Sequence, residues 1–158
     1  MPDIRRLGSG DLPAMRALNA VFGRAFDDAQ AYGGAPPDAP YLAGLLAKDH
    51  VVALVAMEGG TVLGGLVAYE LEKFEQARSE FYLYDLAVAE EHRRRGLATA
   101  LIAALRAHAA TRGGSVVFVQ ADHGDDPAIA LYTGLGLRED VMHFDIPVAP
   151  APRSRPEE

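Results

Sequence analysis

Arg93, Arg94 and Arg95 stand directly before Gly96 in the stretch EEHRRRGLATALIAAL, residues 90–105, of a chain whose net charge is −7. Such a cluster is either a basic turn on a solvated surface or a site built for phosphate. A strand, a short polar turn and then a helix start is an arrangement whose free backbone N–H groups and dipole attract anions. Gly96 has no side chain to block a phosphate, while Ala98 and Thr99 keep the entrance narrow. Arg94 and Arg95 can add charge-assisted contacts to phosphate oxygens. The spacing is neither that of a Walker loop nor Gly-x-Gly-x-x-Gly.

Asp85 is the second oddity. It is a lone acid inside the aromatic, apolar run FYLYDLAV, where strand propensity disfavours it. Its carboxylate is either satisfied by neighbouring backbone donors or kept for chemistry. Alternation along a strand points Tyr84 away from Asp85 unless a bulge intervenes. Tyr132, at helical spacing beside Ile129, reads on pattern alone as core. Glu80, Asp122, Asp125 and Asp126 lie near the ends of two strand-like runs. Each is equally well a solvated cap, and Asp125 or Asp126 suits a helix N-cap; together they would form an acid-rich mouth that attracts cations. His50, His92, His108, His123 and His143 lack the i, i+4 pairing of a helical metal site, and there is no cysteine, so no metal is expected. No Gly-x-Ser-x-Gly elbow of a hydrolase occurs.

Composition bounds the rest. At 158 residues the chain is most simply one domain, expected over 1–147, with the Pro-rich, charged stretch 148–158 expected to be a disordered tail. Twenty-two acids against fifteen bases argue against nucleic acid as the main partner. No apolar run approaches the roughly 20 residues of a membrane span, and MPDIRRLGSGDL lacks the apolar core of a secretory signal. Cytoplasmic residence and no membrane partner are therefore the expectation.

The elements that must position these residues follow from periodicity and punctuation. DIRRL reads as a strand, and LPAMRALNAVFGRAF as a helix capped by Ser9 or Asp11, with Leu12, Met15, Leu18, Val21 and Phe22 in the core. DDAQAYGGAPPDAP reads as a mobile loop, and DAPYLAGLLAK as a second helix. HVVALVAM and TVLGGLVAYEL are strands joined by the hairpin signal EGG, and EFYLYDLAVAE is a central strand. A helix from about Gly96 ends at TRGGS; SVVFVQA is a strand, DDPAIALYTGLGL a short helix and VMHFDI a last strand. The order β-α-α-β-β-β-α-β-α-β implies an α/β protein of the α+β type, with a mixed sheet flanked by helices.

Arg93-x-x-Gly96-x-Ala98 after LAV resembles the pyrophosphate loop of the GCN5-related N-acetyltransferase superfamily. DPAIALYTGLGL is similar to that family's Asn-x-x-Ala-x-x-x-Tyr-x-x-x-Gly-Phe helix, with Asp125 and Leu137 as departures. FGRAF, KFEQARSEFYLYDLAV, EHRRRGLATALI, VQADHGDDPAIALYT and VMHFDI together resemble the type I aminoglycoside 3-N-acetyltransferases, over about residues 4 to 146.

The resemblance implies the acetyl-CoA N-acetyltransferase fold, with a largely antiparallel sheet. It implies acetyl-CoA as cosubstrate, held by Arg93, Arg94, Arg95, Gly96, Leu97, Ala98 and Thr99 and by the backbone of Leu86, Ala87 and Val88. It further implies a gentamicin-type aminoglycoside, acetylated directly on the 3-amine of 2-deoxystreptamine. Asp85 becomes the leading base for the substrate ammonium, directly or through water, and Tyr132 the acid for the leaving thiolate. Glu80, Tyr84, Asp85, Asp122, Asp125 and Asp126 are the expected substrate contacts. Rival readings are an acetyltransferase for another polyamine or a protein Lys, and a CoA-binding module without catalysis. Many relatives of this fold dimerise, so a homodimer is left open.

Overall fold

The computed structural model describes residues 2–149. They form two compact units, one up to Asp122 and one from His123 onward.

The first unit is built on a five-stranded sheet of order β1-β2-β3-β4-β5. Its strands are β1 (Asp3–Arg6), β2 (Val51–Glu58), β3 (Thr61–Glu72), β4 (Ser79–Val88) and β5 (Gly114–Val119). The first four pair antiparallel, and β5 joins β4 in parallel. Gly59 and Gly60, both at positive φ, make the two-residue turn between β2 and β3, as the EGG signal predicted. In β2 the residues Val51–Ala56 are all buried, without polar alternation. That is the pattern of a strand covered on both faces.

Helix α1 (Leu12–Ala25) supplies one cover. Its Met15, Leu18, Val21 and Phe22 form a core with Ala53, Val55, Val62 and Ala87 of the sheet, as their helical spacing implied. The short helix α2 (Ala29–Gly33) and helix α3 (Ala39–Leu46) follow, and α3 adds Leu42 and Leu46 to that core. Asp28 and Asp38 cap them, each side chain accepting a hydrogen bond from a backbone N–H of the first turn. Helix α4 (Leu97–Thr111) buries Leu97, Leu101, Ile102, Leu105 and Ala109, and its His108 meets Phe81 of β4 edge to face. Just beyond α4, Arg112 pairs with the buried Glu70 of β3 at 2.6 Å, tying the helix end to the sheet.

The second unit contains α5 (Asp126–Thr133), capped by Asp125. Two features depart from the sequence reading. The supposed loop 27–40 contains α2, whose five residues are too few to show a hydrophobic period. The expected last strand at VMHFDI is not formed. Val141, Met142, Phe144 and Ile146 have strand-forming side chains, but all are exposed, and propensity makes no strand without a ladder of partner hydrogen bonds. Residues 150–158, most of the expected tail, lie outside the described residues.

Gly65 shows how closely α1 rides on the sheet. A Cβ there would collide with the Leu54 carbonyl oxygen and stand 2.7 Å from Leu18 Cδ1. Gly44, within α3, has nothing within 4 Å of the same position. Gly65→Ala should therefore lower stability by about 1–3 kcal/mol through overpacking. Gly44→Ala should raise it by about 0.5–1 kcal/mol through helix propensity. Denaturant melts of the two variants check this contrast, and equal effects would contradict it.

Candidate active site

Along β4 the side chains alternate until the ladder with β3 slips. Ala68 is opposite Leu83 and Val67 opposite Asp85, so Tyr84 is an extra residue, a β-bulge. The bulge brings two consecutive side chains into one neighbourhood. The Tyr84 ring lies 5.4 Å from Tyr82 and 5.8 Å from Tyr69. Asp85 accepts a hydrogen bond from the Tyr32 hydroxyl at 3.0 Å, and both Tyr84 and Asp85 act on the Tyr32 and Tyr69 phenols. The condition attached to Tyr84 in the sequence is thus met.

Asp85 and Tyr69 line a cleft of about 370 Å³ beneath α1, α2 and α3. Its other walls include Asn19, Tyr32 and Tyr41, with Leu42 and Val67 among the apolar contacts. Among the described residues Asp85 is the only charged one in this lining. Burial raises its carboxyl above the ordinary value, and the Tyr32 hydrogen bond offsets part of that rise. Burial, and after it the Asp85 charge, also raises the Tyr32 and Tyr69 phenols. The site therefore holds one carboxylate with elevated basicity among protonated phenols. Such a group can accept a proton from a bound amine.

A second feature lies beside it. β5 pairs with β4 only from Ser79 to Leu83, whereas β4 continues to Val88. Tyr84 to Val88 therefore keep one edge free of β5. One turn of 3₁₀ helix (Glu90–His92) and the arginines then lead into α4. Gly96 caps α4 in the left-handed conformation, φ 75°, without a side-chain cap. Its missing Cβ would meet nothing within 4 Å. The first N–H groups of α4 are thus left without a capping side chain at an open approach. Leu97 is buried and anchors the helix, Ala98 is half-buried and Thr99 is exposed.

The three arginines do different things. Arg93 donates to the Val88 carbonyl at 3.1 Å, clasping the end of β4. Arg95 turns toward Glu58 at 3.4 Å and His92 at 3.3 Å. Arg94 adopts φ 65° and makes no side-chain hydrogen bond or ion pair among the described residues.

The expected acidic mouth is not assembled within the first unit. Glu80 is ion-paired with Arg78 at 3.2 Å and does not line the cleft, and Asp122 is exposed outside it. In the second unit Asp125 is engaged as the α5 cap, accepting from Ala128 N–H at 3.4 Å, and Asp126 is exposed in the first turn. Tyr132 lies on α5, half-buried; burial first, then the Asp125 charge, raises its phenol and keeps it protonated. Among the described residues no group of three or more His, Asp or Glu side chains is arranged to hold a metal.

Sequence reasoning missed Tyr32, Tyr41 and Tyr69 as cleft residues. The Asp28 cap before Tyr32 is the one local signal that the segment was helical. Tyr69 stands opposite Tyr82 in the β3–β4 ladder, a pairing visible only once the register is known.

Comparison with known proteins now adds to this geometry. The model of the Acetyltransferase (GNAT) family matches residues 17–137. Among curated proteins, N-acetyltransferase family 8 member 2 of Rattus norvegicus is 30% identical over 90 residues, 57% of this chain and 40% of that protein. The match thus spans less than half of that relative's length. Among solved structures, an aminoglycoside acetyltransferase, HMB0005, from an uncultured soil metagenomic sample is 53% identical with a TM-score of 0.92, covering 94% of this chain and 99% of that one. A second, meta-AAC0020 from an uncultured soil metagenomic sample in complex with sisomicin, is 31% identical with a TM-score of 0.86, covering 94% and 97%. A free β4 edge beside a glycine-capped helix start, on a sheet of this topology, together with a family match over most of the chain, leads to one conclusion: the chain belongs to the acetyltransferase (GNAT) family, whose cosubstrate is acetyl-CoA.

Proposed function

We propose that the protein is an aminoglycoside N-acetyltransferase acting on the 3-amine of gentamicin-type drugs by direct transfer. One observation carries the reading: a single basic carboxylate, Asp85, stands in a tyrosine-walled cleft beside the free edge of β4. The solved aminoglycoside acetyltransferases of similar sequence support the substrate class. The choice of the 3-amine rests on the sequence resemblance. The family match runs through both compact units, which supports reading 1–147 as one acetyltransferase domain.

The residues present fit the cosubstrate. The Gly96 turn offers backbone N–H groups and Arg94 a free guanidinium for a pyrophosphate. Leu86, Ala87 and Val88 offer a strand edge free of β5 for an extended arm, with the Val88 carbonyl held by Arg93. Acetyl-CoA supplies an activated acetyl thioester. Asp85 pairs with the substrate ammonium and takes its proton, directly or through water, so that the nitrogen gains a lone pair. Backbone N–H groups of the free β4 edge are preorganised donors for a developing oxyanion, a contribution of ~3 kcal/mol where geometry is good. Tyr132, protonated at neutral pH, is the proposed proton source for the departing sulfur. Balance is then complete: the N–C bond forms and the C–S bond breaks; the ammonium gives one proton to Asp85 before attack, Tyr132 gives its proton to sulfur, and the second proton shed by nitrogen as the amide forms returns through water to the Tyr132 phenolate, so that the one net proton is released to solvent from Asp85.

The cradle is tested at Gly96. Because φ is positive there, Val would disturb the turn itself, whereas Asn tolerates that conformation. Gly96→Asn should fold and weaken CoA binding in calorimetry by about tenfold or more, since its side chain enters the approach to the N–H groups. Unchanged affinity in the folded variant removes the phosphate cradle.

Asp85→Asn tests the base. We expect kcat/KM for gentamicin to fall by ~10²–10⁴ with CoA affinity nearly unchanged. Full activity would eliminate Asp85. Mass spectrometry of the product locates the acetyl group, and acetylation only away from N3 would refute the 3-amine assignment. Stability should move the other way. The folded-state value of Asp85 is raised, so the native state loses stability as pH rises from the unfolded-state value through the folded-state one. Asn keeps an acceptor for Tyr32 and carries no charge. Its Tm should therefore match or exceed that of the parent at neutral pH, and the difference should vanish in acid. A Tm well below the parent at neutral pH would show that the buried charge is not a burden to the fold.

A further inference from the structure

We propose that Tyr32 is a positioning residue for Asp85, fixing the carboxylate through Oδ1 so that Oδ2 is the free acceptor for the substrate amine. The inference rests on the proposed role of Asp85 and deepens it. The hydroxyl donates to Oδ1 at 3.0 Å, and no other side-chain hydrogen bond to Asp85 occurs among the described residues.

Tyr32 is itself held from several directions. Its ring packs against Phe22 at 5.8 Å and Phe26 at 5.6 Å, and those two rings stack on each other at 5.6 Å. Gly23 lets α2 come close, since a Cβ at Gly23 would stand only 3.3 Å from Tyr32 Cβ. The Asp28 cap, accepting from Ala31 N–H at 3.1 Å, fixes the first turn of this short helix. Phe22 is fully buried in the core of α1. The hydroxyl is thus aimed from the hydrophobic core, through three rings, at one oxygen of the carboxylate.

This contact matters because burial opposes ionisation of Asp85, and the Tyr32 hydrogen bond is what offsets that opposition. The groups around the carboxylate are all neutral donors or acids. The Tyr69 phenol of β3 and the Tyr82 phenol of β4 are raised by burial and in part by the Asp85 charge; Tyr84 of β4 acts on both, Tyr41 of α3 acts on Tyr69, and Asp28 acts on Tyr32. Among the described residues no Lys, Arg or His lines the cleft to stabilise the anion in place of Tyr32. Without Tyr32 the carboxylate is harder to ionise and free to rotate.

The test uses the full chain with acetyl-CoA and gentamicin. Tyr32→Phe keeps the ring stack and removes the hydroxyl. The acid limb of the kcat/KM–pH profile should move to higher pH, with a loss of about tenfold at that limb that is largely recovered in alkali. The Asp85 carboxyl, followed by ¹³C NMR in the protein without substrate, should titrate at correspondingly higher pH. Gly23→Ala, which pushes Tyr32 away while keeping its hydroxyl, should shift both readouts in the same direction by less. It keeps the proposal testable should Tyr32→Phe not fold. An unmoved acid limb together with an unmoved carboxyl titration overturns the proposal, because a mere wall of the cleft would alter KM alone. Failure of the base reading looks different: Asp85→Asn would then retain full activity, whatever the carboxyl titration shows.

Discussion

One extra residue in β4 sets the surroundings of Asp85. Without the slip at Tyr84, strict alternation would send Tyr84 and Asp85 to opposite faces of the sheet, and a lone acid would have no reason to share an environment with the neighbouring phenols. With it, the strand before the bulge still packs Phe81 against α4, while the strand after it delivers Asp85 to the cleft and Ala87 to the α1 core. The ladder with β3 continues on both sides with its register shifted by one residue, so the sheet absorbs the irregularity. Beyond the bulge β4 also runs past the end of its pairing with β5. The carboxylate and the free strand edge are thus consecutive products of the same strand.

The cleft differs from a charge trap. Its lining carries one anion and several phenols, so any electrostatic pull on a cation there rests on a single carboxylate. A single charge at low effective dielectric acts far more strongly than the same charge in water. The aromatic faces of Tyr32, Tyr41 and Tyr69 are also the kind of surface on which an ammonium rests favourably. The cost is carried by Asp85, whose ionised form is disfavoured by burial and supported chiefly by one hydroxyl.

How much of this could be read from residues alone varied with the physics involved. Asp85 was visible because an acid in an aromatic strand contradicts propensity. Gly96 was visible because a glycine after arginines at a helix start is what an anion-binding turn requires. The α1 core and the β2–β3 hairpin followed from periodicity and from paired glycines, which report on conformation directly. The bulge at Tyr84 was invisible, since it imposes no particular residue type and only the facing strand reveals the slip. Tyr32 was hidden in a five-residue helix, too short for a period. The surroundings of the four acids were hidden for a different reason. Counting carboxylates ignores their partners, and Glu80 is occupied by Arg78 while Asp125 serves its own helix. VMHFDI failed because strand propensity is a preference for a partner that sequence cannot supply.

The wall of the cleft from Ala31 to Tyr41 contains no fully buried residue; the cap Asp28 precedes it and the cap Asp38 lies within it. Selection therefore sees it differently from the sheet beneath. A change in Val55 or Leu66 is judged by whether the chain still folds. A change at Ala35, Pro36 or Pro37 reshapes the cleft wall and leaves the buried core untouched. The fold thus places the load of stability on the sheet and leaves the cleft wall to vary with little disturbance of the strand that carries the carboxylate.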